Sequence, residues 1–194
     1  MTKINPRELH GSWTDGFALD LHSTGSTFIG HDEYGHPRYH THRTEVGDLL
    51  YRMKYRGDPT ALTQLVQVAA RFIEAWGVSP DLLLPVPPTR TRRIQPVYQI
   101  VDQLSVRLDI PPDFRALYKR KDGGELKDVL DYQARRELLE GAFEADPETV
   151  RGRAILLVDD LVRSGATMNA ASEALAEAGA SAVYVLALTE TRRK

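Results

Sequence analysis

The sequence predicts an α/β fold: a doubly wound, mainly parallel sheet with a small antiparallel β appendage at the N-terminal end. Three observations carry this. Runs at residues 81–86 (DLLLPV), 154–160 (AILLVDD) and 181–190 (SAVYVLALTE) are apolar over most of their length, as strands covered on both faces are. Segments with helical apolar spacing separate them, an alternation that builds a parallel sheet with helices on both sides. An acidic pair, Asp159 and Asp160, closes the second run just before a glycine-bearing turn and another helical segment. In open α/β sheets, ligands sit beyond the carboxyl ends of the strands.

The elements follow in chain order. All six histidines (His10, His22, His31, His36, His40 and His42) fall within the first 43 residues. GFALDLH (16–22) alternates apolar and polar residues, as a half-buried strand does. Residues 26–44 read as two short strands around a Tyr34-Gly35-His36-Pro37 turn. Residues 1–43 are therefore expected to form a β-hairpin appendage and residues 44–194 the main domain. From Thr44, a candidate N-cap, Val46, Leu49, Leu50 and Met53 follow helical spacing until KYRGDP (54–59) breaks it. Leu62, Leu65, Val66, Ala69, Ala70, Ile73 and Trp76 mark a second helix, and Gly77 suits its end. Residues 94–108 are helical after Pro96, and DFRALYKR (113–120) reads as a strand. KDGGELKD (121–128) is a charged loop with little to bury, expected to be mobile. A short helix at 132–139, a strand at 141–145 and an alanine-rich helix at 168–179 complete the pattern.

Composition narrows the class. At 194 residues and 42% hydrophobic, the chain can bury one domain's core plus an embellishment. A net charge of −2 gives no overall basic field for nucleic acid. No apolar run is long enough for a bilayer, and MTKINPRELHGSW has no apolar signal core, so a cytoplasmic location is expected. With no cysteine there is neither a disulfide nor a thiolate metal site.

The turn after the acidic pair is suited to a phosphate. A helix N-terminus presents free N–H groups and partial positive charge. Gly165 lets the backbone approach closely, and Ser164 and Thr167 add hydroxyl donors. The carboxylates would repel a phosphate, but they suit sugar hydroxyls or a magnesium shell. A sugar phosphate has both needs in one molecule.

AILLVDDLVRSGAT (154–167) resembles the signature of type I phosphoribosyltransferases: four apolar residues, two acidic, two apolar, then a small-residue turn. The resemblance implies that Ser164, Gly165, Ala166 and Thr167 hold the 5′-phosphate of phosphoribosyl pyrophosphate (PRPP). It implies that Asp159 and Asp160 hold the ribose hydroxyls, with Mg2+ at the same pair, directly or through water or substrate. Arg163 stands where the family has a small residue; it either reaches the phosphate or faces solvent. Three further segments resemble the ComF-like branch: RTEVGDLLYRMKYRGD (43–58), LLPVPPTRTRR (83–93) and LYKRKDGGELKDVLDYQARRELLEGAF (117–143). Together they cover roughly residues 44 to 191. The branch's cysteine-rich zinc module has no counterpart here. Gln95-Pro96-Val97-Tyr98-Gln99 replaces its Arg-Gly-Phe-Asn-Gln, and Lys127 and Leu138 replace a glutamine and an asparagine.

The implied reaction is displacement of pyrophosphate from C1 of PRPP by a nitrogen acceptor, of unidentified structure, with a nucleobase as one candidate. Pro88, Thr89 and Arg90 would bind the pyrophosphate, and Arg90 with Asp159 and Asp160 would form the catalytic group. Arg92 and Arg93 extend that basic loop; the bland alternative is a solvated face. Lys119, Arg120 and Lys121 belong to the flexible loop that closes over PRPP, with Gly123 and Gly124 as a hinge, or else form a solvated charge run. A homodimer is expected. Two other functions stay open. One is a PRPP-sensing or DNA-uptake accessory protein, in which the basic segments 89–93, 115–121 and 192–194 would touch single-stranded DNA. The other is nucleobase salvage, which little chain after residue 190 would serve. In the N-terminal hairpin, His40 and His42 share a strand face and with His22 or His31 could bind zinc, or be surface residues. Phe28, Tyr34 and Tyr39 would stack on a base or simply pack, and the hairpin would serve as a hood over the acceptor or a dimer contact.

Overall fold

The computed structural model describes residues 2–88, 95–120 and 141–191. Its centre is a five-stranded sheet in the order β1 (Arg7–Glu8), β2 (Asp15–Leu21), β9 (Ala182–Glu190), β8 (Ala154–Val162) and β5 (Leu82–Pro85). β2, β9, β8 and β5 run parallel, and β1 is antiparallel to β2. The neighbouring helices are α1 (Glu45–Arg56), α2 (Pro59–Trp76) and α3 (Pro96–Leu108), then α4 (Pro147–Val150) and α5 (Ala166–Glu177). Two small antiparallel pairs stand apart: β3 (Ser23–His31) with β4 (Pro37–Arg43), and β6 (Leu117–Lys119) with β7 (Phe143–Ala145).

Strand alternation splits the core in two. Leu156, Val158, Leu186 and Leu188 pack with α1, α2 and α3 through Leu50, Leu65 and Ile100. Ile155, Leu157, Val185 and Ala187 pack on the other face with Met168, Ala171 and Leu175 of α5 and with Leu117 and Phe143. Both faces of β8 are covered, which is why its run is continuously apolar.

Local chemistry sets the helix ends. The Thr44 hydroxyl accepts the Gly47 N–H at 3.0 Å and donates to the Leu21 carbonyl at 2.6 Å, so it caps α1 and ties it to β2. Gly57, at φ 60°, ends α1 in the left-handed region. Asp58 then caps α2, and its other oxygen takes the Arg52 guanidinium at 2.6 Å. That Arg52 hydrogen bond holds the Asp58 carboxyl below its ordinary pKa. Gly47 is needed for a different reason: a Cβ there would run into the His22 carbonyl oxygen. Gly47→Ala is expected to destabilise the fold by about 1–3 kcal/mol, as overpacking does, which a urea denaturation curve would read.

The structure corrects two sequence expectations. The antiparallel appendage is confined to residues 23–43. Residues 15–21 instead form a parallel strand of the main sheet, beside β9, and residues 7–8 pair with it as its edge. Ala18 and Leu19 are fully buried, and Phe17 meets Phe72 and Trp76 edge-on at 5.4 and 5.2 Å. The Trp76 indole N–H donates to Asp15 at 2.8 Å. Helical partners from α2, invisible to a local pattern, thus draw β2 into the sheet. The second correction concerns 113–120, of which only Leu117–Lys119 is strand. Asp113 accepts the N–H groups of Arg115 and Ala116, both at 2.7 Å, and this side-chain turn holds residues 113–116 out of the ladder. The short helix expected at 132–139 lies outside the described residues.

Candidate functional site

Parallel strands end at one edge of a sheet, so β2, β9, β8 and β5 bring distant residues together there. Asp159 and Asp160 lie near the carboxyl end of β8. The Asp160 N–H donates to the Asp159 carboxylate at 2.8 Å. Burial, and then the neighbouring charge of Asp160, push the Asp159 carboxyl up to about 8. Asp160 is partnered differently: the Lys54 ammonium, from α1, meets its Oδ2 at 2.7 Å. The fully buried Thr189 hydroxyl donates to the Asp160 carbonyl at 3.1 Å.

Beyond Val162 the chain turns. Arg163 is exposed, and Ser164 and Thr167 are partly buried. Gly165, at φ 82° and ψ −8°, stands at the N-cap of α5. No side chain caps that helix through the Gly165 position, and the Ser164 hydroxyl reaches the Ala166 N–H only at 3.4 Å. Glycine takes this left-handed conformation without strain, a Cβ there would meet nothing within 4 Å, and the helix start leaves its first amides without intrahelical partners.

One strand away, the Val86 N–H donates to the Val158 carbonyl at 2.9 Å, which holds the chain after β5 beside β8 and leads to Pro88. Thr89, Arg90, Arg92 and Arg93 lie outside the described residues, as do Lys121, Gly123, Gly124, Lys127 and Leu138. Lys119 closes β6, and Arg120 pairs with Glu144 at 3.2 Å. These two cations sit on the small β6–β7 sheet, on the α5 side of the core.

Across the edge, His22 follows β2; its N–H donates to the Glu190 carbonyl at 2.8 Å, and its Nδ1 lies 3.3 Å from the Thr189 hydroxyl. Burial first, then the charges of Arg43 and Lys54, hold this imidazole below its ordinary pKa. The β3–β4 hairpin rises from the same edge, between His22 and Thr44. Phe28 packs against Tyr39 and His31 at 5.7 and 5.1 Å, and the His40 and His42 rings lie 5.1 Å apart. The His42 Nε2 contacts the Thr27 hydroxyl at 2.7 Å. Among the described residues, no group of three or more His, Asp or Glu side chains comes together as a metal cage.

The acidic pair and the turn were legible in the sequence. Lys54 and Thr189 were not assigned there, and His22 was named only as a possible zinc ligand with His40 and His42. Lys54 lies in the KYRGD segment, but only the packing of α1 on the sheet puts it at Asp160.

At the strand ends of this α/β sheet, paired carboxylates stand in sequence just before a glycine-led helix N-terminus. Comparison with known proteins places this fold in a family. The phosphoribosyl transferase domain family matches residues 94–194, and the chain belongs to that family. Competence protein ComFC of Bacillus subtilis (strain 168) is 24% identical over 144 residues, covering 74% of this chain and 58% of that protein. The chain thus spans less than two thirds of that relative's length. Among solved structures, the adenine phosphoribosyltransferase of Leishmania donovani has the same fold. It is 14% identical with a TM-score of 0.52, and the match covers 96% of this chain and 75% of that one. No described helix is long and apolar enough to cross a membrane.

Proposed function

We propose that this chain binds PRPP with magnesium and transfers its phosphoribosyl group to a nitrogen acceptor. The observation that carries the reading is the juxtaposition, on one strand end, of Asp159 and Asp160 with the Gly165-led start of α5. The turn from Arg163 to Thr167 holds the 5′-phosphate on its amides and hydroxyls. Asp159 and Asp160 accept the ribose hydroxyls. Pro88, Thr89 and Arg90 receive the pyrophosphate, and Lys119, Arg120 and Lys121 flank the loop that covers it. The acceptor nitrogen forms a bond to C1 as the bond from C1 to the pyrophosphate oxygen breaks. The protein needs no covalent nucleophile for this; it positions the two reactants and faces the leaving charge with cations and N–H groups.

Magnesium suits the donor set. Two carboxylates lie close enough for one to raise the other, hard oxygen donors are what this ion takes, and among the described residues Lys54 forms its ion pair with Asp160 rather than Asp159. Bound there with PRPP, the ion would neutralise pyrophosphate oxygens. The β3–β4 hairpin, rising from the strand-end edge, would cover the acceptor, with Phe28 and Tyr39 as its exposed aromatic surface.

A second reading is a PRPP-sensing accessory protein of competence. The similarity to ComFC and the Gln95-Pro96 start of α3, in place of the branch's Arg-Gly, favour it. Calorimetry with PRPP, with and without magnesium, followed by a pyrophosphate-release screen over nucleobases, tests both. Magnesium-dependent binding with release supports transfer, and binding without release with any acceptor supports sensing. No binding overturns both.

A further inference from the structure

Lys54 is the one α1 cation whose ammonium reaches the acidic pair. Arg52 is spent on Asp58 and Asp48, and Arg56 lies over the Tyr51 ring at 5.6 Å. Lys54 follows Leu50 by one helical turn, so it flanks the apolar stripe that α1 lays on the sheet. Its head meets Asp160 near the carboxyl end of β8. Nζ and Asp160 Oδ2 are 2.7 Å apart, and each side chain is only 17% exposed. The helix itself is fixed. Thr44 ties its first turn to Leu21, and Gly47 lies flush against His22.

The consequence is geometric. A carboxylate free to rotate offers either oxygen to a ligand. Here the ammonium takes Oδ2, and Thr189 holds the adjoining carbonyl. Oδ1 is left as the oxygen for a hydroxyl, at an orientation set before the sugar arrives. Asp159 has no such partner; it takes the Asp160 N–H instead. We infer that Lys54 is a positioning residue that sets Asp160 to read a ribose hydroxyl, and so makes the site discriminate ribose from deoxyribose phosphates. The inference rests on the PRPP reading of the same site, and it places a residue from outside the signature segment in the recognition of the sugar.

The test is calorimetric binding of ribose 5-phosphate, 2-deoxyribose 5-phosphate and 3-deoxyribose 5-phosphate to the full chain. Circular dichroism checks that each variant is folded. A hydrogen bond to a charged group corresponds to about tenfold in affinity or more. The wild-type protein is expected to prefer ribose 5-phosphate by about that factor over the analogue lacking the hydroxyl that Asp160 takes. Lys54→Met is expected to reduce the preference to within about twofold, while affinity for that analogue, held by its phosphate, changes little. Lys54→Arg is expected to restore it. Lys54→Leu, which removes donor and charge alike, serves as second variant should the methionine protein fail to fold. A preference that survives in Lys54→Met or Lys54→Leu overturns the inference, and so does an equal loss for all three ligands, which marks a structural role only. Wild-type protein that binds neither PRPP nor ribose 5-phosphate overturns the functional reading itself, and the role of Lys54 with it.

Discussion

Asp159→Asn is expected to raise the melting temperature at pH 7.5 while abolishing PRPP binding, and Asp160→Asn to lower the melting temperature with the same loss of binding. The contrast follows from what each carboxylate touches. Burial and the charge of Asp160 raise the Asp159 carboxyl to about 8. Between the ordinary 3.8 and that value, the folded state holds a proton that the unfolded chain has released. Stability from this group is therefore full below about pH 4 and falls as pH rises toward 8. Asparagine keeps the shape and removes that dependence. The advantage of the variant should grow through that window, at roughly 2–4 °C for each kcal/mol gained. Asp160→Asn does the reverse, because it leaves the Lys54 ammonium, at the end of a side chain only 17% exposed, without its carboxylate. Leaving a partly buried charge unpaired costs about 1–3 kcal/mol. Thermal melts from pH 4 to 8 on both single variants, alongside calorimetry with PRPP, read all four effects. A destabilised Asp159→Asn would contradict the electrostatic account, and retained PRPP affinity in both variants would remove the acidic pair from the site.

Deleting residues 2–22 is expected to abolish cooperative folding, whereas replacing residues 24–42 with two glycines is expected to leave a folded protein. Ser23 and Arg43 are register partners at the base of the hairpin, so a short bridge spans them. The hairpin between them is mostly exposed, including Phe28 at 51% and Tyr39 at 57%. β2, in contrast, covers the edge of β9 through six paired positions and buries Ala18 and Leu19 completely. Truncating Leu19 alone to alanine should cost about 2–5 kcal/mol, a large share of the stability of a domain this size. Circular dichroism and thermal melting of the two deletions separate the cases. A folded protein lacking residues 2–22 would show that β2 is an ornament on the sheet.

Much of this molecule was readable from local chemistry. Thr44 and Gly77 act as the cap and stop that their residue types announce, and the break read at KYRGDP is where Gly57 ends α1 and Asp58 caps α2, because capping is settled within one turn of chain. The continuous apolar runs of β5, β8 and β9 declared strands covered on both faces. The acidic pair and the Gly165 turn were legible because strand end, turn and helix start are consecutive in sequence.

Where the reading went astray, contacts across the chain decided the outcome. GFALDLH alternates enough to suit a hairpin strand, yet Phe72, Trp76 and the open edge of β9 draw it into a parallel ladder. DFRALYKR has a strand's composition, yet Asp113 spends two backbone N–H groups on a turn. The sequence by itself determined helices α1, α2, α3 and α5, the buried strands β5, β8 and β9, and the segment that carries two carboxylates beside a glycine-led turn, because each depends on residues a few positions apart. Only the tertiary structure decided that β2 completes the sheet and that Lys54 meets Asp160. Those pairings join residues far apart in the chain, and their energy appears only once burial has brought both partners to the same edge.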